Sequence, residues 1–189
     1  NWDNMGAAGG IISSAEDMIK WMQFQLNNGI NGKDTLFTKR EQTTMWTPHV
    51  NYPVSDRARE VYGGRNFNGY GLGWGTTEYH GKQMVSHTGG YDGMYSAVTM
   101  LPTEKIGVVI LTNTMDGIGT LLSYEIIDRL LGLPQQDWKN RGINQDKGHW
   151  ADRAARIKER TDARIMGTKP SMDVVAISGL YRCPLFGDI

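Results

Sequence analysis

Between Gly63 and Gly93 the chain places ten glycines, within a total of 24 in 189 residues. Average usage is about 7%, and nineteen of the 24 lie before Leu133. Glycine is the residue that tolerates left-handed backbone and close approach of other chain segments. Its concentration in one stretch points to demanding local geometry, not to a flexible linker spread along the chain.

The pattern around those glycines is extended. Gly69-Tyr70-Gly71-Leu72-Gly73-Trp74-Gly75 alternates small and large residues, and 82–88, 94–101 and 105–112 read as strands. Pro102-Thr103-Glu104 supplies a turn between the last two, which predicts an antiparallel hairpin. Helices are expected on either side. Ser13 and Ser14 precede Glu16 and Asp17 in capping-box spacing, and Met18, Ile19, Met22 and Leu26 follow at helical intervals, predicting a helix over 14–28. Residues 116–131 repeat the helical spacing through Leu121, Leu122, Ile126 and Leu130 and stop at Gly132 and Pro134. Residues 30–68 show no sustained period and read as loop and short helix.

Lys and Arg number 20, as do Asp and Glu. A zero net charge offers no excess of basic side chains to hold nucleic acid or an anionic membrane. The balance is a sum of unlike parts: residues 1–133 carry 10 basic and 13 acidic side chains, residues 134–189 carry 10 and 7. A boundary is therefore expected at Gly132-Leu133-Pro134, giving a first domain over 1–133, a connecting segment over 134–170 with a charged helix at 150–165, where Asp152 and Arg156 stand as an i,i+4 pair, and a β-rich tail over 171–189. No apolar run approaches the length that spans a bilayer, and Asn1-Trp2-Asp3-Asn4 does not open a signal peptide. One cysteine, Cys183, rules out an intrachain disulfide and a thiolate zinc site.

The sharpest chemical feature is Ser86-His87-Thr88-Gly89-Gly90 at the end of an expected strand. A titratable ring, a hydroxyl and two approachable backbone N–H groups can converge there on one ligand. Taken alone, the residues fit more simply a strand-ending turn around a satisfied histidine. Other candidates carry less. Gly71-x-Gly73-x-Gly75 lacks nucleotide-loop spacing, and His49, His80, His87 and His149 show no paired spacing for a metal. No cofactor is expected. Trp21, Trp46 and Trp74 suit core or pocket wall better than a carbohydrate platform, and Asn113 suits the cap of the helix that follows it.

The order of elements adds what the single motifs lack. A capped helix after Gly9-Gly10, then Tyr70-Gly71-Leu72-Gly73-Trp74, His87-Thr88-Gly89-Gly90, a strand ending Leu101-Pro102, Gly107-Val108-Val109-Ile110-Leu111-Thr112-Asn113 and a final helix follow one another over about 130 residues. This resembles the C-terminal half of the serine β-lactamase and penicillin-binding protein superfamily, in the branch that holds class C β-lactamases, D-aminopeptidases and related esterases. Gly179-Leu180-Tyr181-Arg182 and Pro184-Leu185-Phe186-Gly187 are similar to the start of a small β-rich accessory domain found in such proteins.

The resemblance implies an α/β (α+β) fold, an antiparallel sheet flanked by helices, and an acyl-enzyme mechanism using Ser-x-x-Lys, Tyr-x-Asn and a third element, Lys-Thr-Gly or His-Thr-Gly, on an edge strand. His87-Thr88-Gly89 matches the third element. By analogy His87 and the Gly90 N–H belong to the catalytic apparatus, the latter as half of an oxyanion hole, and Thr88 and Gly89 bind substrate. Neither Ser-x-x-Lys nor Tyr-x-Asn occurs in the chain. The chain is thus expected to be a C-terminal fragment of a serine hydrolase, inactive alone, whose partners are a small acyl substrate and the N-terminal half of its own domain. An exposed sheet edge is expected to promote oligomerisation, and the resemblance implies a periplasmic or secreted protein. A non-catalytic ligand-binding or sensor module is the alternative. Histidine in place of lysine forgoes most of a full charge at neutral pH. At about 4 Å and an effective dielectric near 20 that charge is worth roughly 4 kcal/mol toward a carboxylate before desolvation. The replacement therefore favours small amides, D-amino acid peptides or esters over β-lactams.

Overall fold

The first described elements are a short helix α1 (Gly6–Gly9) and the longer α2 (Ala15–Leu26), followed by a small hairpin of β1 (Ile30–Asn31) and β2 (Asp34–Thr35). Next come α3 (Lys39–Trp46), β3 (Val50–Asn51), α4 (Asp56–Val61) and the strands β4 (Asn68–Tyr70), β5 (Gly75–Tyr79), β6 (Lys82–Tyr91), β7 (Met94–Leu101) and β8 (Ile106–Thr112). Two helices, α5 (Ile118–Leu131) and α6 (Trp138–Asp162), a 3-10 turn (Val174–Ile177) and a hairpin of β9 (Arg182–Cys183) and β10 (Gly187–Asp188) complete it. This computed structural model describes residues 6–185, 187 and 188. The Asn1-Trp2-Asp3-Asn4 run and Phe186 of the Pro184-Leu185-Phe186-Gly187 motif lie outside the described residues.

Strands β3 to β8 form one antiparallel sheet in chain order. Alternation along the strands sends Met84, Leu101 and Val108 to one face, where Leu121, Tyr124 and Ile127 of α5 cover them. The other face sends Val85, Val98 and Met100 to Met22 and Leu26 of α2 and to Trp46 and Trp74. The sheet is therefore flanked by helices on both faces, as the resemblance implied.

The local signals explain most boundaries. Ser14 caps α2 by accepting from the Asp17 N–H, and the Lys105 ammonium donates to the Leu26 carbonyl at the other end of that helix. Thr38 and Glu41 form a complete capping box on α3. Gly132, at φ 66°, closes α5 with the Leu133 N–H bonded to the Asp128 carbonyl. Asn113 is not the cap of α5: the N-cap position is Gly117, which has no side chain to offer, and Asp116 just before it accepts from the Ile118 N–H at 3.3 Å and from the Thr114 hydroxyl at 2.8 Å. The physical reason is distance along the chain, since α5 begins at Ile118, two residues past Asp116.

The first compact unit ends at Lys147 and the second begins at Gly148. The core of the first continues past Leu133, because Trp138 is completely buried and Gly142 lets α6 approach Leu121. Trp138 stacks on both Tyr62 and Tyr124, which are tilted against each other, and Tyr79 lies against Tyr124 at 5.0 Å. Two ionisable side chains serve this aromatic cluster. Asp128 is buried and accepts from the Tyr79 hydroxyl and from Trp138 Nε1 at 2.7 Å. Arg65, also buried, lies over the Tyr62 ring and donates to the Tyr124 hydroxyl at 2.9 Å.

In the second unit the remainder of α6 is exposed, and its i,i+4 ion pair is Lys158 with Asp162 at 2.6 Å. The expected Asp152–Arg156 pair is not made. Val174 to Ile177, read above as strand-like, form a 3-10 turn because the Asp173 carboxylate accepts from the Val175 N–H.

Removing the Asp128 carboxylate strands two buried donors. Asp128→Ala is expected to cost about 3–5 kcal/mol in urea unfolding, the range for a buried charge network broken on one side, and Tyr79→Phe about 1–2 kcal/mol. A pH dependence follows from the same cluster. Burial first, then the Asp128 carboxylate, raises the Tyr79 phenol, and burial pushes Tyr124 up to about 12 against the partial opposition of Arg65. Above pH 10 the unfolded chain releases these phenolic protons while the folded chain keeps them, so stability is full below about pH 10 and declines above it. Unfolding free energies measured from pH 8 to 11 should show that decline, shallower in Tyr124→Phe.

Candidate active site

β6 has ten residues, yet its two neighbours cover different lengths of it. β5 pairs with Lys82 to Ser86, ending at the Gly75–Ser86 pair, whereas β7 pairs from Val85 all the way to Tyr91. His87, Thr88, Gly89, Gly90 and Tyr91 therefore have a paired strand on one side only, and all five are exposed. An interior strand becomes an edge strand halfway along its length.

Two turns produce this offset. Gly71 N–H donates to the Trp74 carbonyl at 2.7 Å, and Gly73 takes φ 76°, so the chain reverses between β4 and β5 just before it would reach His87. At the other end Asp92 and Gly93, at φ 45° and 88°, form a tight hairpin turn that carries β6 out to the Tyr91–Met94 pair. The sequence reading ended this strand at Thr88 and put His-Thr-Gly-Gly at its end. The four residues lie inside the strand, and the overlooked signal was the Asp92-Gly93 dipeptide.

Each site residue has a definite setting. By alternation His87 and Gly89 share the α2 face with Val85, and Thr88 and Gly90 share the α5 face with Met84. His87 Nε2 lies 2.9 Å from the Tyr70 hydroxyl. The Gly89 carbonyl accepts from the Ser96 hydroxyl at 3.3 Å. A Cβ at Gly90 would meet the tip of Met115 at 3.2 Å. Tyr91, at the end of the segment, has its phenol raised above the ordinary range by desolvation and then by the neighbouring Asp92 carboxylate. Tyr70, Ser96 and Met115 were not singled out by sequence reasoning. Tyr70 carried a signal, its place inside the glycine alternation; Ser96 and Met115 carried none.

The remaining histidines are dispersed. His49 contacts the Thr44 carbonyl, His80 sits in the β5–β6 turn against Tyr79, and His149 packs on Trp150. Among the described residues no group of three or more His, Cys, Asp or Glu could hold a metal ion. Trp74 packs against both Trp21 of α2 and Trp46 of α3. A cleft of about 200 Å³ between Thr43, Trp46, Pro48, Phe67, Thr76 and Gln83 includes none of the residues at 87–91.

A family model described as Beta-lactamase matches residues 1–130. The chain belongs to the β-lactamase family. It is 31% identical over 141 residues to an unguisins hydrolase of Aspergillus violaceofuscus, covering 70% of this chain and 25% of that protein. A second unguisins hydrolase, from Aspergillus campestris, is 26% identical over 144 residues, covering 73% and 25%. The chain thus spans about a quarter of the length of the curated relatives it matches. Among solved structures, the octameric penicillin-binding protein homologue from Pyrococcus abyssi has the same fold, with TM-score 0.52 and 23% identity over 64% of this chain and 25% of that one. The β-lactamase-like sheet and helices are accordingly those of this family.

Two glycines of the site separate steric cost from flexibility. A Cβ at Gly71 would lie 2.1 Å from the Met45 backbone carbonyl, whereas at Gly90 it meets only the movable end of Met115. Gly71→Ala is expected to lose about 1–3 kcal/mol and Gly90→Ala less than about 1 kcal/mol, measured by chemical unfolding of both variants.

Proposed function

We propose that this chain supplies the substrate-positioning wall and one oxyanion donor of a serine hydrolase that cleaves a small amide, D-amino acid peptide or ester through an acyl-enzyme. The observation that carries the reading is the one-sided strand pairing of His87 to Gly90. Along such an edge, N–H and C=O groups alternate between the partner strand and the open side. A bound acyl group can pair with the open side as an added strand does. The two glycines let its carbonyl carbon come close to the backbone. On this reading the Gly90 N–H donates to the oxyanion as the carbonyl becomes tetrahedral, Thr88 and Gly89 contact the substrate main chain, and His87 orients it.

The nucleophile belongs to another part of the protein. Neither Ser-x-x-Lys nor Tyr-x-Asn is present in these 189 residues, and the related hydrolases are about four times longer than the region matched. We place the Ser-x-x-Lys segment in the N-terminal half of the same domain. β8 is one of the two outer strands of the sheet among the described residues, the longer of them and with Leu111 exposed, and offers the docking edge for that half. The two fungal relatives are named as hydrolases of unguisins, which supports a hydrolytic role for the parent protein.

The full-length protein should become covalently labelled by an activated ester or a fluorescent penicillin, with the label on a serine outside residues 1–189. His87→Ala should lower kcat/KM toward the ester by roughly 10²-fold, the scale of lost positioning. Absence of labelling in the full-length protein would leave the non-catalytic binding module as the better reading.

A further inference from the structure

We infer that Tyr70 is a positioning residue that fixes the tautomer of His87, so that His87 meets its ligand as a neutral Nδ1–H donor. The hydrogen bond joins the Tyr70 hydroxyl to Nε2 at 2.9 Å, and the rings lie 6.2 Å apart, tilted by 56° and not stacked. Between a phenol and a neutral imidazole, the phenol is the stronger acid and the ring nitrogen the stronger base. Tyr70 therefore donates and Nε2 accepts. A neutral imidazole carries one N–H, so its proton is on Nδ1. Nδ1 has no hydrogen-bond partner among the described residues, and His87 is exposed on the open edge of β6.

Tyr70 is held firmly enough to impose this choice. It stands between Gly69 and Gly71, where an added Cβ would run into Pro48 at 2.6 Å and into the Met45 carbonyl at 2.1 Å respectively. Its own backbone is paired with both Val50 and Gly75. The glycines on either side let the β4–β5 hairpin pack down on α3, and that packing carries the phenol to the histidine. His49 provides the opposite case within the same chain. Its Nε2 lies 2.9 Å from the Thr44 carbonyl, which can only accept, so His49 carries its proton on Nε2.

The inference deepens the hydrolase reading and rests on it only for the ligand. An Nδ1–H donor selects an acceptor, such as the carbonyl oxygen of an amide or ester, without demanding a full negative charge. It disfavours a substrate that presents an ammonium group at that point.

The tautomer is a property of this chain and can be read without turnover. Long-range ¹H–¹⁵N correlation spectra of the ¹⁵N-histidine-labelled protein would be recorded at about pH 8.5, above the ordinary imidazole range. His87→Gln assigns the His87 signals. The expected result is a protonated Nδ1 and a bare Nε2 for His87, with His49 showing the reverse. Tyr70→Phe should move His87 toward the Nε2-protonated form and leave His49 unchanged. A wild-type His87 protonated on Nε2, or a His87 signal indifferent to Tyr70→Phe, would overturn the inference. Failure of the full-length protein to acylate would instead overturn the hydrolase reading and leave these spectra unaffected.

Discussion

The point at which β5 stops pairing with β6 governs the architecture of the site. Had the Gly75–Ser86 pair been followed by further rungs, the backbone of His87 to Tyr91 would be satisfied on both sides and closed to any ligand. The chain stops the ladder by turning sharply at Gly71 to Trp74, a turn anchored by the Leu72 N–H on the Met45 carbonyl at 2.9 Å. An exposed edge of five residues usually invites uncontrolled strand pairing. Here it is short, carries two glycines that contribute no apolar side chain, and ends at the Asp92–Gly93 turn.

Such an edge is useful only if the sheet behind it is rigid, and the buried polar cluster supplies that rigidity. Asp128 ties β5 through Tyr79 to α5 and to the first turn of α6 through Trp138. Arg65 joins the loop before β4 to the same helix through Tyr124, and its Nε also donates to the Glu78 carbonyl of β5 at 3.1 Å. A charge in this position is expensive to bury and is retained with every principal partner satisfied. On the other face Gly107 allows Met22 to lie against β8, with its sulfur 3.2 Å from where a Cβ would stand, so α2 packs close to the strand.

Much of this was readable from local pattern because it is locally determined. The capping residue Ser14, the β7–β8 hairpin turn and the Gly132 stop each act within a few residues, and each lies where the spacing put it. The glycine alternation from Gly69 to Gly75 announced constrained backbone without revealing its purpose, since the carbonyl of Met45 that excludes a side chain at Gly71 is 26 positions away in sequence. The same limit applies to the site. His87 and Gly90 stand out by their motif, but the hydrogen bond from Tyr70 spans 17 residues, and the cover from Met115 depends on where α5 begins. The buried Asp128 reads in sequence as an ordinary helix-surface carboxylate. Only the convergence of Tyr79 and Trp138 gives it an interior role.

The histidine that stands where the resemblance implies either lysine or histidine then acquires a structural partner. A lysine at position 87 would bring a full charge worth roughly 4 kcal/mol toward a carboxylate before desolvation at about 4 Å. A neutral N–H to an uncharged carbonyl is worth only about 0.5–1.5 kcal/mol net. That smaller gain orients a substrate only if the donor is already aimed, because a ring free to rotate and change tautomer spends most of the gain on its own ordering. The clamp of Gly69 and Gly71 on Tyr70, and of Tyr70 on His87, removes that freedom before any ligand arrives. On the proposed function, the weak donor and its rigid support belong together: the site gives up long-range attraction for anions and recovers selectivity through geometry.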